Sequence, residues 1–183
     1  MSAESPLTDK TIVLVGLSGV GKSSVGRRLA AVLDLPFHDS DAEVEVAAGR
    51  SIPEIFAELG EEAFRDGERR VIARLLAEPP HVLATGGGAV MNPETRQLIK
   101  EKALSVWLKT DVAVLARRIA RKTGARPLLD GKDPLEVLTR QAQDRYGAYG
   151  EADIVVETGD ISHQEAVDLI LAALEARAAE AGR

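Results

Sequence analysis

The chain has 183 residues, a formal net charge of −6, 45% apolar residues, 3% aromatic residues and no Cys. Its length fits one compact α/β domain with a real apolar core, and the lack of Cys excludes disulfides and thiolate metal sites. Its acidic balance argues against nucleic-acid or membrane-surface binding, both of which need a basic face.

In chain order, Met1–Asp9 lacks the basic and apolar regions of a signal peptide, and no apolar run approaches the ~20 residues of a membrane span. A cytoplasmic location is expected. Thr11–Gly16 (TIVLVG) is a continuous Val/Ile/Leu run and reads as a buried strand, with Lys22–Leu33 following as a helix. Pro36–His38 reads as a short second strand. Val82–Thr85, Leu104–Leu108 and Ile154–Val156 supply three more. Ser51 with Glu54, and Ser162 with Glu165, match the capping box, in which two side chains satisfy otherwise unpaired backbone N–H groups. Asn92-Pro93 and Asp133-Pro134 each put a capping side chain before a proline at the first helical position. In the last helix Val167, Ile170, Leu171 and Leu174 share one face. Apolar strands alternating with helices predict a parallel sheet covered on both sides. The stretch Lys122–Asp133 fits no regular element and has the length of a lid or binding loop. Arginines recur at positions 117, 118, 121, 126, 140 and 145, as solvated helix surface or as part of a local anion site.

Residues 16–23 (GLSGVGKS) match G-x-x-x-x-G-K-[ST] in full, after a strand and at the start of a helix as the motif requires. Glycines let successive backbone N–H groups turn toward phosphate oxygens, and the new helix adds its positive end. Gly19, Val20, Gly21, Lys22, Ser23 and Ser24 are therefore candidates to bind ATP. Lys22 is expected to reach the β- and γ-phosphates, and the Ser23 hydroxyl to hold Mg²⁺. Asp39 and Asp41 follow the second strand and aim at the same pocket, because α/β sheets collect ligands at the carboxyl ends of their strands. Arg65 and Glu68 lie three apart, so on a helix they share a face and can pair. A guanidinium held this way keeps donors aimed at a substrate carboxylate. Phe56 and Phe64 wall a small pocket or belong to the core. Gly86, Gly87 and Gly88 remove side chains at a strand end where a ligand must come close.

The phosphate loop, D-x-D at 39–41, G-R-S-I…I-F at 49–56, F-R-x-x-E at 64–68, the G-G-G run, R-P-L-L at 126–129 and R-x-x-x-Y at 145–149 occur in one order between Gly16 and Tyr149. In that ordered set the chain resembles the shikimate kinase family. The resemblance implies a three-layer P-loop fold like that of nucleoside monophosphate kinases, with a five-stranded parallel sheet. It implies one domain over residues 1–183, with a core of about 10–176 and a mobile lid of about 119–133. It implies ATP and Mg²⁺ as cofactors, shikimate as the partner substrate, and a monomer. By position, Ser23 would hold the metal with Asp39 assisting through water. Asp41 would bind the ring hydroxyls beside the reacting 3-hydroxyl. Arg65, oriented by Glu68, would grip the carboxylate together with Arg145. Gly86, Gly87 and Gly88 would face the substrate, with Gly87 offering its N–H, and Arg126 would close with the lid onto the phosphates. Lys22, Asp41 and Arg126 are the expected catalytic groups. Gly147 stands where the family carries Pro, and the loop Thr158–His163, where adenine would sit, lacks the arginine some relatives show. The competing reading is a gluconate-kinase-like enzyme acting on another small hydroxy acid.

Overall fold

A computed structural model describes residues 8–123 and 131–182. The apolar runs form a five-stranded sheet from β1 (Thr11–Val15), β2 (Phe37–Asp39), β3 (Val82–Ala84), β4 (Ala103–Lys109) and β5 (Ile154–Glu157). The order is β2-β3-β1-β4-β5 and every pairing is parallel. Ile12 lies opposite Val82 and Leu104, and Asp39 opposite Ala84. Seven helices are described: α1 (Lys22–Leu33), α2 (Ser40–Ala48), α3 (Ile52–Leu76), α4 (Pro93–Lys102), α5 (Val112–Thr123), α6 (Pro134–Tyr149) and α7 (His163–Ala181).

All five residues of β1 are buried, yet its period of two still sorts side chains between two cores. Ile12 and Leu14 pack with Leu29 of α1 and with Val167, Ile170 and Leu174 of α7. Val13 and Val15 pack with Ile72 and Leu75 of α3, Ile99 of α4, Leu115 of α5 and Leu138 of α6. Each fully buried Leu or Ile contributes about 1.5–3 kcal/mol relative to exposure. The sheet thus lies between two helical layers, as expected.

The capping signals form as expected. Ser51 Oγ accepts from the Glu54 N–H at 3.3 Å while the Ser51 N–H donates to Glu54 Oε2 at 2.8 Å. Ser162 and Glu165 repeat the pattern at 3.1 and 2.7 Å. Asn92 Oδ1 and Asp133 Oδ1 cap α4 and α6. The structure adds a break: inside α3, Gly60 has φ 84° and ψ 170°, so that element is two helical segments meeting at a kink.

Strand ends differ from the expectation by about one residue. β2 is shifted forward, which makes Asp39 both the last strand residue and the N-cap of α2. β1 and β3 stop at Val15 and Ala84, while β4 and β5 are longer than expected. Where the irregular segment was expected to begin, the backbone continues as α5 through Thr123, and α6 starts at Pro134. Arg126 and the rest of R-P-L-L lie outside the described residues. No helix among the described residues is long and apolar enough to cross a membrane.

Candidate active site

At the end of β1 the chain turns at Gly16, where φ is 148° and a Cβ would lie 2.7 Å from the carbonyl oxygen of Leu108. Only glycine passes there. No side chain caps α1, so its first N–H groups are open to an anion. A cavity of about 480 Å³ covers the loop. Ser18, Gly19, Gly21, Lys22, Ser23 and Ser24 line it from one side, and Asp39, Asp41, Thr85, Gly86, Gly87, Arg118 and His163 from the other. The side chain of Val20 is 3% exposed and packs in the core, so only its backbone is available to a ligand.

Lys22 differs from expectation in where its ammonium rests. Nζ donates to the carbonyls of Gly16 at 2.7 Å and Leu17 at 2.9 Å, folded back onto the loop. Burial penalises its charge and lowers its pKa to about 8, although Asp41 and Asp39 pull the other way.

Asp39 serves two elements at once. Its Oδ1 accepts the Asp41 N–H at 3.0 Å as the α2 cap, while its Oδ2 accepts the Ser23 hydroxyl at 2.5 Å. Asp41 comes from the first turn of α2, and burial holds its carboxyl above the usual range. Asp39 adds to that shift, while Lys22 and Arg65 oppose it. Glu68 is 3% exposed and is likewise pushed up by burial, against the pull of Arg65. Its Oε1 accepts from Arg65 Nη1 at 2.9 Å, whereas its Oε2 has no partner among the described residues. A Cβ on Gly86 would meet Asp41 Oδ1 at 2.7 Å and Glu68 Oε2 at 3.0 Å, so both carboxylates look onto the same spot.

Beyond the glycines lies a second cavity of about 390 Å³, lined by Glu61, Arg65, Gly88, Met91, Asn92, Asp144 and Arg145. The glycine run is the wall between the two cavities. A Cβ on Gly88 would meet Arg65 Nη1 and Nη2 at 2.7 Å, and one on Gly87 would meet Arg145 Nη1 at 2.9 Å and Ser18 Oγ at 3.0 Å. Arg65 and Arg145, eighty residues apart in sequence, come from α3 and α6 to one cavity. Phe64 is 5% exposed and belongs to the core, with the Arg65 guanidinium 5.1 Å from its ring centroid. Phe56 stacks on Phe64 from outside at 4.9 Å and lines neither cavity.

Several contributors were missed or only loosely marked from sequence. The Ser40 hydroxyl, fully buried, accepts the Gly86 N–H at 3.0 Å and ties the D-S-D turn to the glycine run. Arg118 lines the phosphate-loop cavity and donates to the Gly159 carbonyl at 2.6 Å, whereas Arg117 is exposed. Their helical phase carried that signal: Leu115 is buried and faces Gly19, and Arg118 lies one turn beyond it. His163 opens α7 against Gly21, and the sequence marked it as part of a capping box and as the end of the loop where adenine would sit. Gly147, in place of the family's Pro, is accommodated within α6, which keeps Arg145 and Tyr149 one turn apart.

A family model described as shikimate kinase matches residues 18–175. A shikimate kinase of Caulobacter vibrioides (strain NA1000 / CB15N) is 72% identical over 170 residues, covering 93% of this chain and 84% of that protein. A solved shikimate kinase from Acinetobacter baumannii, in complex with shikimate, aligns with a TM-score of 0.86 at 36% identity, covering 93% of this chain and 95% of that one. A gluconokinase from Sinorhizobium meliloti 1021 aligns with a TM-score of 0.64 at 23% identity, over 94% of this chain and 95% of that one, which speaks for the fold alone. The family match reaches from inside the phosphate loop into α7, and with relatives at this identity over most of its length the chain belongs to the shikimate kinase family.

Proposed function

We propose that the protein transfers the γ-phosphoryl group of ATP to the 3-hydroxyl of shikimate, giving ADP and shikimate 3-phosphate in aromatic amino acid biosynthesis. The observation that carries this reading is the pair of cavities sharing the glycine wall, one over a phosphate loop and one holding two arginines, with Asp41 and Glu68 looking onto the wall between them. A phosphate loop serves ATP, and two guanidinium groups serve a small carboxylic acid.

Ser23 Oγ and Asp39 Oδ2 form a pair of hard oxygen donors beside the loop, which suits Mg²⁺ because that ion takes one or two protein oxygens and completes its shell with water and phosphate. In this reading Ser23 holds the ion, Asp39 supports it, and the ion supplies charge neutralisation on the β- and γ-phosphates. The Lys22 ammonium exchanges its loop carbonyls for phosphate oxygens as the nucleotide binds. Arg118 and His163 line the same cavity and are the side chains available to the nucleoside.

On the acid's side, Arg65 and Arg145 grip the carboxylate, and the N–H groups of the glycine run meet the ring. Asp41 orients the 3-hydroxyl in line with the γ-phosphorus. The oxygen of that hydroxyl forms the new P–O bond as the bond to the ADP oxygen breaks, and the hydroxyl proton passes to Asp41 late. A carboxyl held above its usual pKa suits that role. Phosphoryl transfer has a loose transition state, so position and charge dominate over nucleophilic push. Arg126, in a lid that closes over residues 119–133, adds positive charge and keeps water out. The protein works as a monomer in the cytoplasm.

A coupled ADP-release assay with shikimate and with gluconate tests the reading. Shikimate is expected to drive ADP release and gluconate to leave it at background. ADP release indifferent to shikimate, or driven by gluconate, would overturn it.

A further inference from the structure

Tyr149 is 1% exposed and has no assigned part in the site as described above. Its ring packs beside Trp107, with centroids 5.7 Å apart, which accounts for its aromatic body. Packing does not account for its hydroxyl, which a Phe would lack. That hydroxyl donates to the carbonyl of Gly87 at 2.5 Å. Gly87 is buried, and its Cα faces the Arg145 guanidinium. Tyr149 and Arg145 lie one turn apart on α6, so a single helix face touches Gly87 twice. Burial pushes the phenol's pKa up, and the neighbouring Arg145 guanidinium counters that. The Gly87–Gly88 peptide is trans and planar, so fixing its carbonyl also fixes the direction of the Gly88 N–H. Neither the Gly87 nor the Gly88 N–H has a backbone or side-chain acceptor among the described residues.

We infer that Tyr149 is a positioning residue whose hydroxyl pins the Gly87 peptide to α6 and thereby sets the spacing between Arg145 and the glycine N–H groups that receive the substrate acid. This rests on the shikimate reading and extends it to a residue that touches neither substrate. Without the hydroxyl, a buried carbonyl loses its donor and the peptide can rotate toward another partner. Arg145 then loses its fixed wall.

Tyr149→Phe keeps the ring in the core and removes the hydroxyl, and with it both the bond to the Gly87 carbonyl and the contact with the Arg145 guanidinium. The shikimate KM should rise about tenfold, as expected for losing one buried hydrogen bond. The MgATP KM should rise less, because Gly87 also lines the phosphate-loop cavity whereas Arg145 lines only the acid's cavity. Trp107 fluorescence during thermal melting gives the folded fraction and corrects both values. Arg145→Lys and the double variant complete a cycle, in which the combined loss should fall short of the product of the single losses. A shikimate KM within twofold of wild type, a parallel rise of both KM values, or fully multiplicative losses would each overturn the inference. A wild-type enzyme indifferent to shikimate would instead bring down the substrate reading, and this inference with it.

Discussion

Replacing Gly88 by Ala separates binding from folding at this site. Gly88 has φ −97° and ψ −1°, a negative-φ bridge conformation open to alanine, as at the third position of type I turns. The added methyl would lie 2.7 Å from Nη1 and Nη2 of Arg65 and 2.9 Å from its Cζ, whereas ordinary contact begins at 3.4 Å. The guanidinium must therefore retreat by more than half an ångström, roughly the shortfall against van der Waals contact. It sits at the end of a flexible side chain that is 33% exposed, so the retreat costs the fold little. It costs the substrate grip much more. Losing a charge-assisted hydrogen-bond pair to a carboxylate is worth about 1.5–3 kcal/mol. At 1.4 kcal/mol per decade, that is roughly a tenfold to 150-fold rise in the shikimate KM. Coupled ADP release, with each substrate varied at saturating levels of the other, should show the MgATP KM unchanged. Melting in the same buffer should show a Tm within about 2 °C of wild type, equivalent to less than 1 kcal/mol in a chain of this size. A shikimate KM within twofold of wild type would show that the guanidinium does not need its place against Gly88.

Four further predictions probe other parts of the site and the fold that carries it. Asp41→Asn should lower turnover by at least about 10²-fold while calorimetry still detects MgATP binding, and turnover within a few-fold of wild type would remove Asp41 from the chemistry. The wild-type enzyme should lose activity as pH falls through Asp41's raised pKa, whereas the folded state holds that proton more tightly than the unfolded chain, so stability and activity move in opposite directions there. Lys22 has a pKa of about 8 in the nucleotide-free protein, so MgATP affinity should be full below pH 8 and weaken up to about tenfold per unit above it. Equal dissociation constants at pH 7 and pH 9 would contradict that. Ser51→Ala removes the α3 cap and should cost about 0.5–2 kcal/mol, read as a drop of about 2–4 °C in Tm per kcal/mol. An unmoved Tm would mean that the hydrogen bond contributes nothing net.

What could be read from sequence followed from how local its cause was. α1 was predicted at its observed bounds because the phosphate-loop motif fixes its start and Asp34, in the left-handed region, ends it. The Arg65–Glu68 pair was legible because three residues on a helix are neighbours by construction. β2 was misplaced by one residue because Pro36 cannot donate to the ladder and only its carbonyl joins, accepting from Val82, while Asp39, a poor strand former, pairs because its neighbour Ala84 is there. The irregular segment was expected to begin at Lys122, yet α5 runs through Thr123, because Lys122 and Thr123 can continue a helix and were grouped with the glycine that follows them. Contacts across long separations left no periodic trace. Tyr149 meets Gly87 over 62 positions, and Ser40 meets Gly86 over 46. Arg117 and Arg118 are the same letter twice, and only the helix phase separates an exposed cation from one at the nucleotide cavity.

The strand order explains why reaction geometry and substrate recognition rest on different parts of the fold. β2, β3 and β1 are adjacent, so the D-x-D turn, the glycine run and the phosphate loop leave the sheet side by side at one edge. Cross-strand hydrogen bonds stitch those exits together. The Thr85 hydroxyl donates to the Leu14 carbonyl at 2.9 Å, the Gly86 N–H to Ser40 at 3.0 Å, and the Ser23 hydroxyl to Asp39 at 2.5 Å. The separation between the groups that hold phosphate and the carboxylate that orients the hydroxyl is therefore set by sheet spacing, about 4.8 Å per strand, and not by flexible loops. The two arginines arrive differently, on helices and not on strand ends: Arg65 on α3, which breaks at Gly60, and Arg145 on α6. An acid of slightly different shape can be met by moving helices, whereas the in-line path of the phosphoryl group cannot shift without moving strands. Selection among small acids should accordingly reside in the side chains and backbone pins of α3 and α6, and Tyr149 is one such pin.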